Sequence, residues 1–538
     1  MRLDDWFLDA SERANPSTTI DRGREPAAWT EGNQADVLVD GHEYFARLHD
    51  ALCTTQEGDW VYFTDLDDDG DELLRGPGTE VAEVLAQVAR RGVQVRGLVW
   101  RAHVVGAGEA EADNARFSRT VNDAGGAVLL DNRIRRGGSH HQKIVVIRRP
   151  HAAARAQRPE VAFLGGIDLA HGRGDDHRHL GDSQAVDLGD ARYGERPPWH
   201  DVQVRLLGPA VGDVALTFAE RWYDPAPLDT PSPWHALLHR AAKQPNTPPE
   251  LEAGAVDPTA RGPVAVQILR TYPARHLPYP FAVDGERSVA RAYVKALGRA
   301  RRFVYVEDQY LWSLDATRAL CAALAREREL RVVVLLPRYP DPAGKIVGNA
   351  NHFGRERVLD RLRAAGGARV TAYDLENVEG TPVYVHSKTC IVDDVWMAIG
   401  SDNLNRRSWT HDSEVSCAMI DATADEREPR DPAGRGDGAR RLARDTRLRL
   451  TCEHLDRDED DGSDLVDPVS WFDALTASAR ALDEWHARGR RGPRPRGHLR
   501  PHQGERVGRL SKPFLHVVHA TVLDPDGRPR QLRRRGEL

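Results

Sequence analysis

The sequence predicts an α/β protein made of two copies of one unit, each a mixed, mostly parallel sheet flanked by helices, with a site at the interface between the halves. Three observations predict this. Apolar, β-forming runs alternate with helical patterns, two segments repeat the same order of elements, and each repeat sets a His-x-Lys tripeptide before an apolar strand. Strands that are apolar at nearly every position are those buried on both faces, the signature of largely parallel sheets covered by helices.

In the first unit, DWVYFTD (Asp59–Asp65) leads into a helical stretch (Glu80–Arg91) and a second strand (Val93–Trp100), followed by SHHQKIVVI and VAFLGGIDLA. The second unit repeats the plan with RFVYVEDQYL, a helical stretch (Ala316–Arg328), LRVVVLLP, VHSKTCIVD and VWMAIGSDNL. Tyr62 lies 79 positions before His141 (141 − 62), and Tyr305 lies 81 before His386 (386 − 305), so the spacing repeats as well as the order. The expected division is an N-terminal half at 1–225, a Pro-rich linker at 226–262, a C-terminal half at 263–455 and an extension at 456–538. The extension is expected to hold a helix (Trp471–Arg488), a basic segment and a final strand (Leu515–Leu523).

Composition narrows the function classes. A net charge of −7 and a pI near 6.4 argue against a broadly basic surface that coats nucleic acid. The five cysteines are widely spaced, without the close pairs that zinc ligation or a redox dithiol needs. The N-terminal residues lack a basic region followed by an apolar core, and no run of about 18 apolar residues occurs. A cytoplasmic protein with at most peripheral membrane contact is therefore expected. Only 6 lysines occur among 75 basic residues, leaving 69 arginines (75 − 6), so each lysine marks a place where arginine does not substitute.

Two of those lysines stand in His141-Gln142-Lys143 and His386-Ser387-Lys388. Period-2 alternation puts the His and Lys of each motif on one face, where both reach a single phosphate. After the next strand in each repeat comes a small-residue turn, Gly165-Gly166-Ile167-Asp168 and Gly400-Ser401-Asp402-Asn403. These are candidate anion cradles, with backbone amides bared by glycine and Ser401 and Asn403 as side-chain donors. Glu307 and Gln309, at the end of a strand, are further candidate substrate contacts, whereas Trp199-His200-Asp201 reads as structural. LDDDGD (Leu66–Gly70, Asp71) lacks the full calcium-loop spacing and reads as a solvated turn.

The second motif resembles the H-x-K-x(4)-D signature of the phospholipase D superfamily through His386, Lys388 and Asp393, followed by GSDNLNRRSWTHDSE. HHQK, GGIDLAHGRGDD, PWHDVQVRLLGPAV and VYVEDQYL are similar to the phospholipid-cleaving branch, over Val37 to Arg449. The first copy departs from the signature, with Arg148 where the aspartate should stand. The resemblance implies a glycerophospholipid substrate and a two-step displacement: His141 attacks phosphorus, His386 protonates the leaving alcohol, and Lys143, Lys388 and Asn403 bind the phosphate oxygens. It also implies that Glu414, with Asp168 or Asp175, orients the histidines, that Asp393 supports the site, and that no metal or other cofactor takes part. Because both half-sites lie in one chain, a monomer is expected, without stable nucleic-acid binding. Alternatives of the same resemblance are a cardiolipin synthase-like phosphatidyltransferase, a nuclease, and a silent lipid-binding member, the last favoured by Arg148.

Overall fold

The computed structural model describes the chain except residues 22, 68, 103–107, 151–157, 186–187, 229–236, 238–239, 246, 252–256, 341–344, 505–506 and 509. Much of the expected linker at 226–262 falls outside the described residues.

The first half supplies β1 (Thr30–Val39), β2 (Trp60–Asp65), β3 (Gln94–Trp100), β4 (Ala127–Asp131), β5 (Ile144–Arg148), β6 (Val161–Gly165), β7 (Trp199–His200) and β8 (Val202–Leu207). The second supplies β9 (Val264–Tyr272), β10 (Glu286–Arg287), β11 (Phe303–Glu307), β12 (Arg331–Leu335), β13 (Val370–Glu376), β14 (Pro382–Val385), β15 (Thr389–Val392), β16 (Trp396–Gly400), β17 (Glu414–Asp421) and β18 (Leu499–Pro501). One sheet runs in the order β1-β8-β6-β5-β2-β3-β4. The other runs β9-β17-β16-β15-β11-β12-β13, position for position the same arrangement. The duplication in the sequence is thus a duplication of topology.

The sheets are mixed, and the parallel part is smaller than expected. Parallel pairing within them is confined to β2-β3-β4 and β11-β12-β13, whose connections carry helices. The remaining ladders of the two sheets are antiparallel, as short hairpin connections such as those between β15 and β16 require.

Alternate residues of each strand point to two different cores. Tyr62, Val146, Leu164 and Val204 share one inner core with Ile268, Tyr305, Ile391 and Ile399 of the other half. Val61, Phe63, Val145 and Phe163 face outward against helices 40–53 and 81–90. The second sheet has its own outer core under helices 288–299 and 314–326. β1 continues from one sheet into the other, pairing with β8 through Gln34–Val39 and with β9 through Thr30 and Asn33. That shared strand fixes the angle between the halves.

Both chain ends depart from their expected places. Trp6, Phe7 and Leu8 pack into the outer core of the second half, and buried Arg13 pairs there with Glu286 at 2.8 Å. In the C-terminal extension, helix Pro468–Ala487 buries Trp471 and Leu475 in the inner core, and β18 extends the β13 edge. Residues 515–523, expected as a strand, form helix Lys512–Val518 continued by a wide turn through Leu523. Leu515 and His519, four apart, are its buried anchors, a helical and not an alternating spacing.

The signature aspartate lies at the outer end of its strand. Asp393 is fully buried and accepts hydrogen bonds from the backbone amides of Arg301 (2.9 Å), Arg302 (2.8 Å) and Phe303 (2.8 Å), fastening the start of β11. In the first half Arg148 instead donates to Glu160 at 3.0 Å, while Asp59 pairs with Arg158 at 2.7 Å. Different ion pairs fasten the same corner, so Arg148 stands for a structural exchange. Asp393→Ala is expected to lower unfolding stability by about 2–4 kcal/mol, since three buried amides lose their acceptor. Denaturant unfolding with turnover per folded molecule checks this, and lost turnover at unchanged stability would contradict it.

Candidate active site

Each histidine is placed by a short parallel pairing across the halves. His140 and Ser413 form a parallel bridge, and the His141 amide donates to the Ser413 carbonyl at 2.9 Å, which brings the His141 side chain beside Glu414 at the start of β17. On the other side, β14 pairs in parallel with β7, Val385 opposite His200, and the His386 amide donates to the His200 carbonyl at 2.8 Å. His386 therefore meets Asp201, the residue before β8.

The result is a reciprocal exchange. His141 Nδ1 lies 2.8 Å from Glu414 Oε2, a carboxylate of the second half, and His386 Nδ1 lies 2.7 Å from Asp201 Oδ2, a carboxylate of the first. With Nδ1 engaged, each ring turns Nε2 toward a shared cleft of about 420 Å³ lined by His141, His386, Asp168, Trp199, Asn403 and Glu414. Glu414 Oε2 also accepts the Ser401 hydroxyl at 2.5 Å, and Asp201 Oδ1 accepts the Val202 amide at 2.8 Å. Both carboxylates are thus fixed before any substrate arrives.

The lysines follow the same symmetry. Lys143 Nζ donates to the His141 carbonyl at 3.3 Å, and Lys388 Nζ donates to the His386 carbonyl. Their partners differ, because Lys143 pairs with Asp168 at 3.2 Å whereas the matching position of the second half is the neutral Asn403. Burial pushes both imidazole pKa values well below the ordinary range. The ammonium groups add to the effect, Lys143 and Lys388 at His141, and Lys388 at His386. Burial also brings Lys388 down to about 8, and it raises the carboxyls of Glu414 and Asp201. Against burial, Lys143 holds Asp168 ionised, below the usual carboxylate range.

Several sequence-derived candidates have other surroundings. Gly165 and Gly166 are buried against β8, where a Cβ on Gly165 would come within 2.6 Å of the Val202 carbonyl and one on Gly166 would strike the Asp201 carboxylate. Their smallness lets Asp201 approach, which accounts for them without an anion cradle. Asp175 accepts the Trp199 amide at 2.9 Å and the Gly181 amide at 3.1 Å, and it touches neither imidazole. Glu307 accepts from His200 Nε2 at 3.1 Å behind the cleft, whereas Gln309 lines the cleft and donates to the Tyr384 hydroxyl at 2.7 Å. Asp393 supports the fold and is not among the cleft-lining residues.

Sequence reasoning missed Asp201, read as structural within Trp199-His200-Asp201. A signal existed, since β8 and β17 are counterparts and transferring Glu414 by the repeat lands on Asp201, immediately before β8. It also missed a buried cluster behind Asp201. One ligand atom from each of Asp40, His179, His200 and Glu453 lies within 4.8 Å of the others. His179 Nδ1 faces the Trp199 carbonyl at 3.2 Å and His200 Nε2 faces Glu307, which leaves one ring nitrogen of each histidine turned to the two carboxylates. Two imidazoles backed by acceptors and two carboxylates form a donor set that can hold a divalent cation.

A family model described as Phospholipase D matches residues 68–317, and one described as Cardiolipin synthase, PLD-like domain, matches residues 293–427, so together they span both His-x-Lys motifs. The chain is 25% identical to Phospholipase D alpha 1 of Brassica oleracea var. capitata over 66% of its own length and 57% of the relative's, and 26% identical to Phospholipase D alpha 1 of Arabidopsis thaliana over 63% and 55%. It therefore spans a little over half the length of these curated relatives. Among solved structures, the phosphatidylserine synthase of Haemophilus influenzae Rd KW20 aligns at a TM-score of 0.49 and 14% identity, covering 72% of this chain and 82% of that one. With matched motifs in both halves of a duplicated α/β fold, this chain belongs to the phospholipase D superfamily.

Proposed function

We propose that the protein is a phospholipase D-type phosphodiesterase that cleaves, or transfers, the distal phosphodiester of a glycerophospholipid through a phosphohistidine. The observation that carries this reading is the pair of imidazoles lining one cleft, each oriented through Nδ1 by a carboxylate of the opposite half. The plant relatives named Phospholipase D support the substrate class.

His141 Nε2 attacks phosphorus as the bond to the head-group oxygen breaks, and His386 delivers a proton to that oxygen. Water, or a second alcohol, then attacks the phosphohistidine while His386 takes its proton, releasing phosphatidic acid or a new phosphatidyl alcohol and restoring His141. Burial, with the two ammonium charges added to it, keeps both rings neutral, which suits the nucleophile but leaves the acid without its proton. A bound phosphodiester anion offsets those charges and restores proton affinity, so His386 becomes an acid once substrate is in place. Lys143, Lys388 and Asn403 face the non-bridging oxygens as charge builds on them. Asp168 accompanies Lys143 in the resting cleft and must yield it to the phosphate.

Transfer to a lipid alcohol uses the same steps, and the match of residues 293–427 to a cardiolipin synthase-type domain favours keeping it as the second reading. Arg148, outside the cleft and paired with Glu160, gives the silent reading no support.

Incubation with labelled phosphatidylcholine and ethanol should yield phosphatidylethanol alongside phosphatidic acid, and the absence of both products would end this reading. With a p-nitrophenyl leaving group, which needs no acid, His386→Ala should still accumulate an acid-labile phosphoprotein, whereas His141→Ala should not. The opposite pattern would exchange the two roles.

Asp201→Asn should lower kcat on a natural head group by about 10²–10⁴-fold with little change in KM, because the ring loses the acceptor that fixes its tautomer. An equal loss in binding alone would contradict that role. Lys388 carries its charge below a pKa of about 8 and loses it above, so kcat/KM should fall as pH rises through about 8. Lys388→Arg keeps the charge and should remove that alkaline limb, even at a lower plateau. A limb unchanged in the variant would assign it to another group.

A further inference from the structure

Twelve large apolar side chains are exposed among the described residues, and four of them, Leu510, Phe514, Val517 and Val522, fall in one C-terminal segment. Leu510 is 100% exposed and the other three 58% each. Scattered single apolar residues are ordinary on a protein surface, but a row of them is not. Phe514 and Val517, three apart, share one face of helix Lys512–Val518, and Leu510 stands in the turn just before it. The opposite face is occupied by Leu515 and His519, the latter packed on Trp312 with ring centroids 4.9 Å apart. The helix is therefore amphipathic with its apolar stripe turned outward.

This segment is clamped at the mouth of the active cleft. Leu523 lines the cleft itself, as do Trp312 and Arg407. The Arg407 amide donates to Asp524 Oδ1 at 2.8 Å, and the Gly527 amide donates to the Thr410 hydroxyl at 2.9 Å. The exposed stripe thus has a fixed position relative to His141 and His386. Cationic groups flank it. Arg357, against His516 at 3.3 Å, and Arg361, one turn further along the same helix, make no carboxylate salt bridge among the described residues, and Lys512 meets Glu356 only at 3.8 Å. Apolar side chains near basic groups match a bilayer surface, whose acyl boundary takes the former and whose phosphates take the latter.

We propose that residues 510–523 are a membrane-docking element that seats the cleft mouth on an anionic phospholipid surface. The choice of a lipid surface over a protein partner rests on the phospholipase reading above, since the segment that carries the stripe reaches, through Leu523, the cleft that reading assigns to a phospholipid. Docking through this stripe brings the cleft to the head-group layer, so a substrate phosphodiester need not leave the bilayer completely. No helix among the described residues is long and apolar enough to cross a membrane, so attachment of this part of the chain would be interfacial.

The test uses the full chain and the double variant Phe514→Glu/Val517→Glu, with circular dichroism melting to verify that the variant folds. Cosedimentation with vesicles of phosphatidylcholine and phosphatidylglycerol should fall at least about tenfold in the variant, because two inserting side chains become acidic. Turnover of vesicle lipid should fall by a similar factor, while turnover of monomeric dihexanoylphosphatidylcholine stays within about twofold. Equal vesicle binding by wild type and a folded variant would overturn the proposal. So would a wild-type dimer that the variant converts to monomer with vesicle binding unchanged, which would make a second copy the occupant. Sedimentation needs no turnover, so a protein that binds vesicles through this stripe yet cleaves no lipid would defeat the phospholipase reading and leave the docking surface standing.

Discussion

Two carboxylate–imidazole hydrogen bonds that cross between the halves, Glu414 to His141 and Asp201 to His386, set the tolerance of everything around them. Neither half holds a complete dyad, so each histidine is correctly aimed only while the sheets stay in register. A displacement of one ångström would break both bonds and leave buried charges or amphoteric rings without partners, a cost of several kcal/mol. The molecule meets that demand with redundancy. β1 runs through both sheets, the inner core is continuous from Tyr62 to Ile399, and the parallel bridges at His140–Ser413 and Val385–His200 lie one residue from the dyads they align.

Such rigidity lets the cleft keep an electrostatic arrangement that water would otherwise relax. Two ammonium groups, two imidazoles and three carboxylates share a buried volume, and Lys143, Lys388, Glu414 and Asp201 are each held by a further backbone or hydroxyl partner. The pKa shifts follow from that crowding: neutral imidazoles, an easily deprotonated Lys388, and carboxyls driven upward except where Lys143 faces Asp168. Asp168 stands against Asn403 at matched positions of the cleft, so the two halves are electrostatically unequal although topologically alike.

The fold and the centre of the site were legible in the sequence to different depths. Near-continuous apolar strands and the repeated spacing gave the duplicated α/β plan, because those features are local and recur. His141, Lys143, His386 and Lys388 stood out for the same reason, being close together in a scarce residue pattern. Asp201 did not, since its partner lies 185 positions away and its neighbouring strand β7 is two residues long. Gly165 and Gly166 have a packing duty that the sequence does not reveal, because close approach of a carboxylate and cradling of an anion both require a missing side chain. Residues 515–523 were read as a strand because Val517, Val518, Thr521 and Val522 are β-branched, while the helical spacing of the two buried anchors needs a docking partner to become visible.

Arg148 shows how a compact motif can join residues with separate physical duties. His and Lys of each His-x-Lys pair face the cleft at the inner end of the strand, whereas the signature aspartate sits five residues beyond the lysine, at the outer end. There Asp393 satisfies three amides at the start of β11, a duty that any arrangement stabilising the corner can take over. In the first half the corner is held by Arg148–Glu160 and Arg158–Asp59, with no change required at the cleft. The two corners are stabilised independently, whereas the cleft is shared, so the aspartate and the histidines of one motif answer to different structural demands.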